Sequence, residues 1–240
     1  MDRCLTRERI LDAAERLFAE QGFAAASMRA ITHEAGVNLA AVNYHFVTKE
    51  KLLIEVVRRR VVPINRERLE RLDRLETEAR GRPVPVEAVL TAFVAPVFAL
   101  RTGEPGGGHF PRLLGRLYGE PAESLTRFYE EEFGEMMRRF AATLQRSIPG
   151  LEPSGVFWGL TLATGMLCHI LMAGDRLGLC TAGVCRADDA EEITQHVVRF
   201  AVAGLTSSAA SARQEVSKTR GRRATTSPGR APRIRKRTGR

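Results

Sequence analysis

The sequence has few of the residues and motifs by which enzymes and secreted proteins are recognised. Its four cysteines, Cys4, Cys168, Cys180 and Cys185, show no Cys-x-x-Cys spacing of the kind that binds zinc, although a redox pair of Cys180 and Cys185 stays open. The five histidines lie apart, and none belongs to a recognisable nucleophile or metal motif. We therefore expect free thiols in a reducing cytoplasm, no metal or other cofactor, and no catalytic residues.

Targeting and nucleotide-binding segments are also missing. The charged residues 7–9 come before any apolar run, so no secretory signal is expected. The glycine-rich segment 102–108 is not followed by the Lys-Ser or Lys-Thr pair of a phosphate-binding loop. The 18 uncharged residues 156–173 approach the length of a membrane span, but their threonine, histidine and glycine residues favour a helix buried between neighbours. We expect no membrane partner.

Charge is distributed unevenly along the chain. The net charge is +9, and residues 212–240 hold eleven basic residues against one acid, which gives this segment +10 and the rest −1. With little apolar surface to bury, residues 209–240 are predicted to form a disordered basic tail. Such a tail adds salt-dependent affinity for phosphates, or it is merely a solubilising extension. A sequence-neutral architectural DNA-binding protein acting through this tail is the alternative to the function derived below.

Residues 27–46 hold the most informative pattern, two short helices joined by a tight turn. Ser27 is a good N-cap for the first helix, and Gly36 stands where the chain must turn left-handed after it. Asn38 is placed to cap the second helix, in which Val42 and Phe46 lie four residues apart and should face inward. This is the pattern of a helix-turn-helix, whose second helix, residues 39–45, enters the major groove of DNA.

The side chains left on the outer face have the chemistry of DNA contact. Asparagine reads adenine, and alanine or leucine contacts the thymine methyl group, while tyrosine, histidine and lysine donate to phosphates. The predicted DNA-binding residues are Ser27, Arg29, Leu39, Ala40, Asn43, Tyr44, His45 and Lys49. A solvated surface is the plain alternative for each residue taken alone.

Residues 7–53 resemble the N-terminal domain of the TetR/AcrR family of bacterial transcriptional regulators. The matching segments are Leu-Phe-Ala-Glu-Gln-Gly-Phe at 17–23, Ala-Gly-Val at 35–37, Asn-Tyr-His-Phe at 43–46 and Lys-Glu-Lys-Leu-Leu at 49–53. One departure is Val47, where the family commonly has glycine. Segments 37–46 and 58–68 are similar to a branch of the family in which some members respond to long-chain fatty acids.

The resemblance implies an all-α fold in two parts. An N-terminal three-helix helix-turn-helix domain, residues 1–50, would precede a C-terminal helical domain for ligand binding and dimerisation, residues 51–208. It implies a homodimeric repressor that leaves a pseudo-palindromic operator of double-stranded DNA when a small apolar effector binds, such as a fatty acid or acyl derivative. It also pairs the helices near 156–173 and 188–205 with their symmetry mates in a four-helix bundle.

The C-terminal part is rich in aromatic and methionine side chains, which suit an adaptable apolar pocket. An ordinary packed core is the alternative. The predicted ligand-binding residues are Phe98, Arg112, Arg116, Phe133, Met137, Trp158, Met166 and His169. Among them, Arg112, Arg116 or His169 would meet an anionic head group.

A proline marks the expected hinge between the two parts. Pro63 removes a backbone donor, so it should kink or break the helix that begins after Thr48 in the region of Arg60. Residues 56–63 are therefore expected to transmit effector binding to the DNA-binding part.

Overall fold

The computed structural model describes residues 3–38, 44–98, 108–117, 123–185 and 189–225. Within these ranges the chain is helical and has no strand, which confirms the all-α prediction. The described helices are α1 (Arg3–Gln21), α2 (Met28–Ala35), α3 (Lys49–Ala79), α4 (Val86–Phe98), α5 (His109–Leu117), α6 (Glu123–Ser147), α7 (Pro153–Cys180) and α8 (Ala190–Thr225).

Helix α2 begins and ends where the sequence predicts. Ser27 has extended backbone angles, and its hydroxyl accepts a hydrogen bond from the backbone N–H of Ala30 at 3.1 Å. Gly36 ends the helix with φ +61°, a left-handed conformation that glycine adopts without steric cost. Beneath this turn, Ile31 and Ala35 pack into the core formed with Ile10 of α1.

Helix α3 runs unbroken for 31 residues and contains Pro63. The predicted break near Arg60 is therefore wrong. Proline removes only one helical hydrogen bond here, and apolar residues on both sides of it are buried and hold the helix in place. These are Val56, Val57, Val61 and Ile64. The domain boundary predicted after residue 50 falls in the first turn of α3. Helix α3 as a whole contacts α1 as well as α4 and α6.

A buried ion cluster attaches α3 to α1. Glu15 is only 3% exposed, and its carboxylate accepts hydrogen bonds from Arg59 Nη2 at 2.7 Å and from Arg60 Nε and Nη2 at 3.1 Å each. Arg59 also donates to Asp12 at 2.7 Å and to Glu8 at 3.1 Å. Burial, the largest influence, lowers the pKa of Arg59, but these carboxylates together raise it above its ordinary value. The cluster orients the first helix on α3.

Helices α7 and α8 pack against each other and leave part of their surface uncovered. Gly159 lies so close to Leu205 that an added methyl group would overlap this leucine, so the small residue serves packing within one chain. By length and composition alone, one described stretch, Pro153–Met172, is apolar enough to cross a membrane, and 28% of its apolar window is buried. The expected burial of this helix is thus incomplete in the single chain.

Helix α8 continues to Thr225, so the structure describes residues 209–225 of the segment predicted to be a disordered basic tail as helix. Residues 209–225 contain alanine, arginine, glutamine, glutamate and lysine, which favour helix. A helix that has already formed also extends without a new nucleation step. Residues 226–240 lie outside the described residues. All four cysteines are free thiols, so the structure has no Cys180–Cys185 bond.

Candidate nucleic-acid interface and ligand cavity

The second helix of the predicted helix-turn-helix, residues 39–45, is called the reading helix below. Its end alternates between exposed and buried side chains. Residues 44–46 are helical; Tyr44 is 66% exposed, His45 is half-buried, and Phe46 is 3% exposed. The rings of Tyr44 and His45 meet edge to face, with centroids 5.3 Å apart. The predicted contacts Leu39, Ala40 and Asn43 lie outside the described residues.

The N-terminus of α2 presents a second polar surface. Ser27 and Arg29 are both exposed there. The Ser27 hydroxyl accepts from Ala30 as a helix cap, and this leaves its proton available to an outside acceptor. Because the positive end of a helix dipole attracts anions, a phosphate would be favoured at this position.

The structure gives Lys49 a different role from the phosphate contact that the sequence predicts. Its ammonium group donates to three backbone carbonyls of the turn between α1 and α2: Phe23 at 2.8 Å, Ala24 at 3.3 Å and Ala26 at 3.0 Å. It also lies 4.5 Å from the centre of the Phe23 ring, a cation–π distance. Since all three ammonium donors are engaged, Lys49 holds the turn between α1 and α2.

Val47, directly after the reading helix, has φ +49°. A β-branched residue in this left-handed region is strained, by roughly 1–2 kcal/mol. The family commonly has glycine at this position, which would adopt the same angle freely. Val47 therefore places a strained backbone position directly after the reading helix.

We predict that Lys49→Met lowers the free energy of unfolding by about 1–3 kcal/mol, because it leaves partly buried carbonyls without donors. Urea unfolding followed by far-UV circular dichroism measures this change. Lys51→Met is the matched control, since Lys51 is exposed on the same helix, and it should stay within about 0.5 kcal/mol of the parent. Unchanged stability of the Lys49 variant together with weakened DNA binding would return Lys49 to the phosphate-binding set.

A large cavity lies between α3 and the helices that follow it. Its volume is about 1080 Å³, and its lining is mostly apolar. Four of the eight predicted ligand-binding residues line it, namely Phe133, Met137, Met166 and His169. They are joined by further aromatic and methionine side chains, Phe93, Phe110, Tyr129, Met136 and Phe200.

The other four predicted ligand-binding residues are not part of the lining. Phe98 is fully buried in the core, and Trp158 is 66% exposed on the outer face of α7. Arg112 is exposed on α5. Arg116 is exposed too and donates to the backbone carbonyl of Glu20 on α1 at 2.9 Å. Composition indicates an apolar pocket but does not show which side of each helix faces it.

Sequence reasoning missed Asn65 and Arg68, which line the cavity from α3. Arg68 is 5% exposed; its Nε donates to the carbonyl of Phe93 at 2.7 Å and its Nη1 to Asn65 Oδ1 at 3.1 Å. A signal for them exists in the sequence. Asn65 and Arg68 occupy positions at helical spacing in the stripe that otherwise holds Val61, Ile64 and Leu72, so both polar side chains point inward.

A chain of polar contacts begins at these two cavity residues. Asn65 Nδ2 donates to the backbone carbonyl of Glu132 on α6 at 2.7 Å. The side chain of Glu132 accepts from Arg58 Nε at 2.7 Å. Arg58 therefore connects α3 to the same α6 residue that Asn65 contacts.

The chain of contacts continues to the reading helix. Arg58 Nη1 donates to Glu55 at 2.9 Å, and Glu55 accepts from Arg7 Nη2 of α1 at 2.6 Å. The Arg7 guanidinium lies 5.7 Å from the ring centre of Phe46. Burial, the largest influence, lowers the pKa of Arg58, but Glu132 and Glu55 together raise it above its ordinary value. Successive contacts thus join the cavity to the end of the reading helix.

Comparison with known proteins identifies the family. Residues 10–56 match the family model described as bacterial regulatory proteins, tetR family, and residues 91–204 match the model described as tetracyclin repressor-like, C-terminal domain. The chain belongs to the TetR family, which confirms the resemblance seen in its sequence.

Curated relatives match the N-terminal part of the chain. The chain is 40% identical over 52 residues to the HTH-type transcriptional regulator UidR of Escherichia coli K12, covering 22% of this chain and 26% of UidR. It is 38% identical over 53 residues to the HTH-type transcriptional repressor AcnR of Corynebacterium efficiens, covering 22% of this chain and 28% of AcnR. The matches span only about a quarter of these relatives.

Two solved structures share the fold. A crystal structure from Pseudomonas aeruginosa PAO1 superimposes with a TM-score of 0.60 at 18% identity, covering 89% of this chain and 95% of that chain. SmeT, the repressor of the Stenotrophomonas maltophilia multidrug efflux pump SmeDEF, superimposes with a TM-score of 0.57 at 21% identity, covering 82% of this chain and 88% of SmeT.

Proposed function

We propose that this chain is a homodimeric, DNA-binding transcriptional repressor of the cytoplasm, released from a pseudo-palindromic operator when a small apolar effector enters the cavity. The observation that carries the proposal is the continuous helix α3. It joins the helix-turn-helix part of the chain (residues 1–50, called the head) at one end to a large apolar cavity further along. SmeT, which has this fold, has been solved in complex with triclosan. The DNA-binding domain would be residues 1–50, and the ligand-binding and dimerisation domain would be residues 51–208.

DNA binding is supported by the exposed polar surface of the head. Tyr44, Ser27 and Arg29 are exposed at the reading helix and at the start of α2, where they suit phosphate contact. Two such heads, related by a two-fold axis, would read two half-sites at least one helical turn of DNA apart. The helical basic segment 209–225 and the residues after it would add salt-dependent affinity without sequence preference.

We expect the full-length chain to select a two-fold symmetric site from a pool of random duplex DNA. Arg29→Ala should weaken binding to this site and to unrelated DNA alike, and lower the salt slope by about 1, because it removes one phosphate contact. Arg74→Ala is the matched control, since it removes an exposed arginine far along α3. Fluorescence anisotropy over a salt series measures both variants.

Two outcomes of this experiment would overturn the assignment of the head. In the first, Arg29→Ala and Arg74→Ala bind equally well. In the second, deletion of residues 212–240 abolishes binding and selection yields no site, which would establish the architectural alternative.

Dimerisation is supported by apolar side chains that lie exposed on α7 and α8. Phe157 is 44% exposed, Trp158 66%, Leu162 63% and Phe200 71%. Monomeric soluble proteins rarely expose clusters of this kind. A second copy packed against α7 and α8 in a four-helix arrangement would cover them, and this accounts for the apolar stretch of α7 without a membrane.

We predict that Trp158→Glu produces monomers and weakens binding to the two-fold site, because a buried, unpaired carboxylate would be placed in the interface. Sedimentation velocity measures the mass in solution. Leu5→Glu is the control, since Leu5 is 63% exposed on α1 and outside the proposed interface. A Trp158→Glu chain that remains dimeric would show that this face is not the contact between copies.

Effector release is proposed to act through the polar contacts that begin at Asn65. An effector that displaces Arg68 or Asn65 would disturb the Asn65–Glu132 contact, and through Arg58 and Glu55 the position of α1. A ligand shifts such an equilibrium only by its difference in affinity for the two states. The coupling energy is therefore measured by comparing operator affinity with and without the effector, in the parent chain and in a variant that lacks one of these contacts.

We predict that Arg58→Met still binds both DNA and the effector. The effector should weaken operator binding much less in this variant than in the parent chain, because most of the coupling is lost; allosteric coupling typically changes affinity by about 5- to 150-fold. The effector used is the tightest binder from a thermal-shift screen of fatty acids and acyl thioesters. Operator affinity is measured with and without it. Arg71→Met is the control, because Arg71 pairs with Glu67 one turn away on the same helix. Full release in the Arg58 variant would exclude this route.

A further inference from the structure

The cavity contains a buried cation for which the described residues provide no carboxylate. Arg68 is 5% exposed, and its two hydrogen bonds go to neutral acceptors, the Phe93 carbonyl and the Asn65 amide oxygen. Two of the five N–H donors of the guanidinium are thus engaged. The Phe93 ring covers the guanidinium at 4.3 Å from its centre, which orients the group but leaves its charge without a carboxylate among the described side chains.

The part of the lining that the structure describes has no carboxylate. No aspartate or glutamate is among the described residues around the cavity. Glu132, which lies behind Asn65, offers only its backbone carbonyl on this side, since its carboxylate is bound by Arg58. Cys168 on α7 acts on the pKa of Arg68 in the opposite direction to burial and raises it.

The guanidinium stays charged in this setting. Burial, the main influence, lowers the pKa of Arg68 to about 10, which is still far above neutral pH. A buried charge without a partner is costly, and a hydrogen-bonded anion beside it offsets that cost. The planar fork of arginine matches a carboxylate with two parallel hydrogen bonds.

The remaining surface suits an apolar body attached to such an anion. Phe133, Met136, Met137 and Met166 supply flexible and aromatic contacts around the same cavity. The lining extends to Leu162 and Phe200, which are exposed on α7 and α8 in the single chain, so the cavity reaches the face that a second copy would cover. A molecule with one acidic end and one apolar end would place its acid at Arg68 and its apolar part along the methionines.

We propose that the cavity binds amphiphiles with a single carboxylate, and that Arg68, held by Asn65, is the residue that receives the carboxylate. This inference rests on the proposed effector function and specifies its ligand class. It replaces Arg112 and Arg116, which lie outside the cavity lining, as the cation that meets the head group. The apolar part is held without strong selectivity for its length, because methionine side chains adapt to different shapes.

The test compares three probes with the same chain length, decanoate, 1-decanol and decylamine, by isothermal titration of the full-length chain at neutral pH. We expect decanoate to bind about 10- to 100-fold more tightly than decanol, as a hydrogen bond to a charged group implies. Decylamine should bind most weakly. This comparison uses the unaltered protein, so it is valid even if substitutions at Arg68 impair folding.

Substituted chains then show which residue causes the preference for decanoate over decanol. Arg68→Gln should remove the preference for decanoate over decanol, and Arg68→Lys should retain part of it. Arg112→Gln is the matched control and should leave the preference intact. Cys168→Ser, which keeps a small polar group beside Arg68, should also leave it intact; loss of the preference in this variant alone would assign recognition to the thiol and overturn the proposal.

The outcomes separate this inference from the proposed function. If decanol and decanoate bind equally well, the cavity binds apolar ligands and the assignment of Arg68 is wrong. If none of the three probes binds the unaltered chain, both the effector cavity and this inference fail, while selection of a two-fold DNA site still tests the DNA-binding function.

Discussion

The arrangement of the chain depends on the ion pairs that three successive arginines of α3, Arg58, Arg59 and Arg60, make with neighbouring helices. Arg59 and Arg60 bind the buried Glu15 of α1, whereas Arg58 turns to Glu132 of α6. Three successive residues of a helix point in different directions, so one short segment binds both neighbouring helices. Because Glu15 is buried, loss of its partners would leave a desolvated charge, which is strongly unfavourable. The head is thus attached to α3 by a contact that is costly to break.

Helix α3 has two polar residues on its buried, otherwise apolar face. Val61, Ile64 and Leu72 form the buried stripe, and Asn65 and Arg68 interrupt it. Each interruption reduces the stability that apolar burial would give. Asn65 is compensated by a backbone carbonyl and by Arg68, whereas the charge of Arg68 is compensated only in part, by neutral acceptors. Residues that carry such a cost cluster at functional sites. The cavity beside Arg68 is where this cost is offset when an anion binds.

Local chemistry made some features predictable, and tertiary contacts decided the others. The caps at Ser27 and Gly36 follow from side-chain hydrogen bonding and backbone freedom within a few residues, so the sequence alone indicates them. The role of Lys49 depends on a turn 23 to 26 residues away, which no local pattern reveals. The unbroken helix at Pro63 likewise depends on burial of both flanks. Composition does not specify which side of a helix a residue faces, so four of the eight predicted ligand-binding residues line the cavity and four do not.

The absence of a break at Pro63 changes how a signal can travel along α3. Arg68 and Arg58 are ten residues apart in one helix, which corresponds to about 15 Å along its axis. A broken helix would absorb a displacement at Arg68 within the joint, whereas a continuous one carries it toward Arg58. The contacts of Asn65 and Arg58 with Glu132 provide a second connection across α6. Movement of Arg68 relative to α6 therefore strains the contacts that attach the head. An anion that holds Arg68 in place acts at once through α3 itself and through the contacts with Glu132.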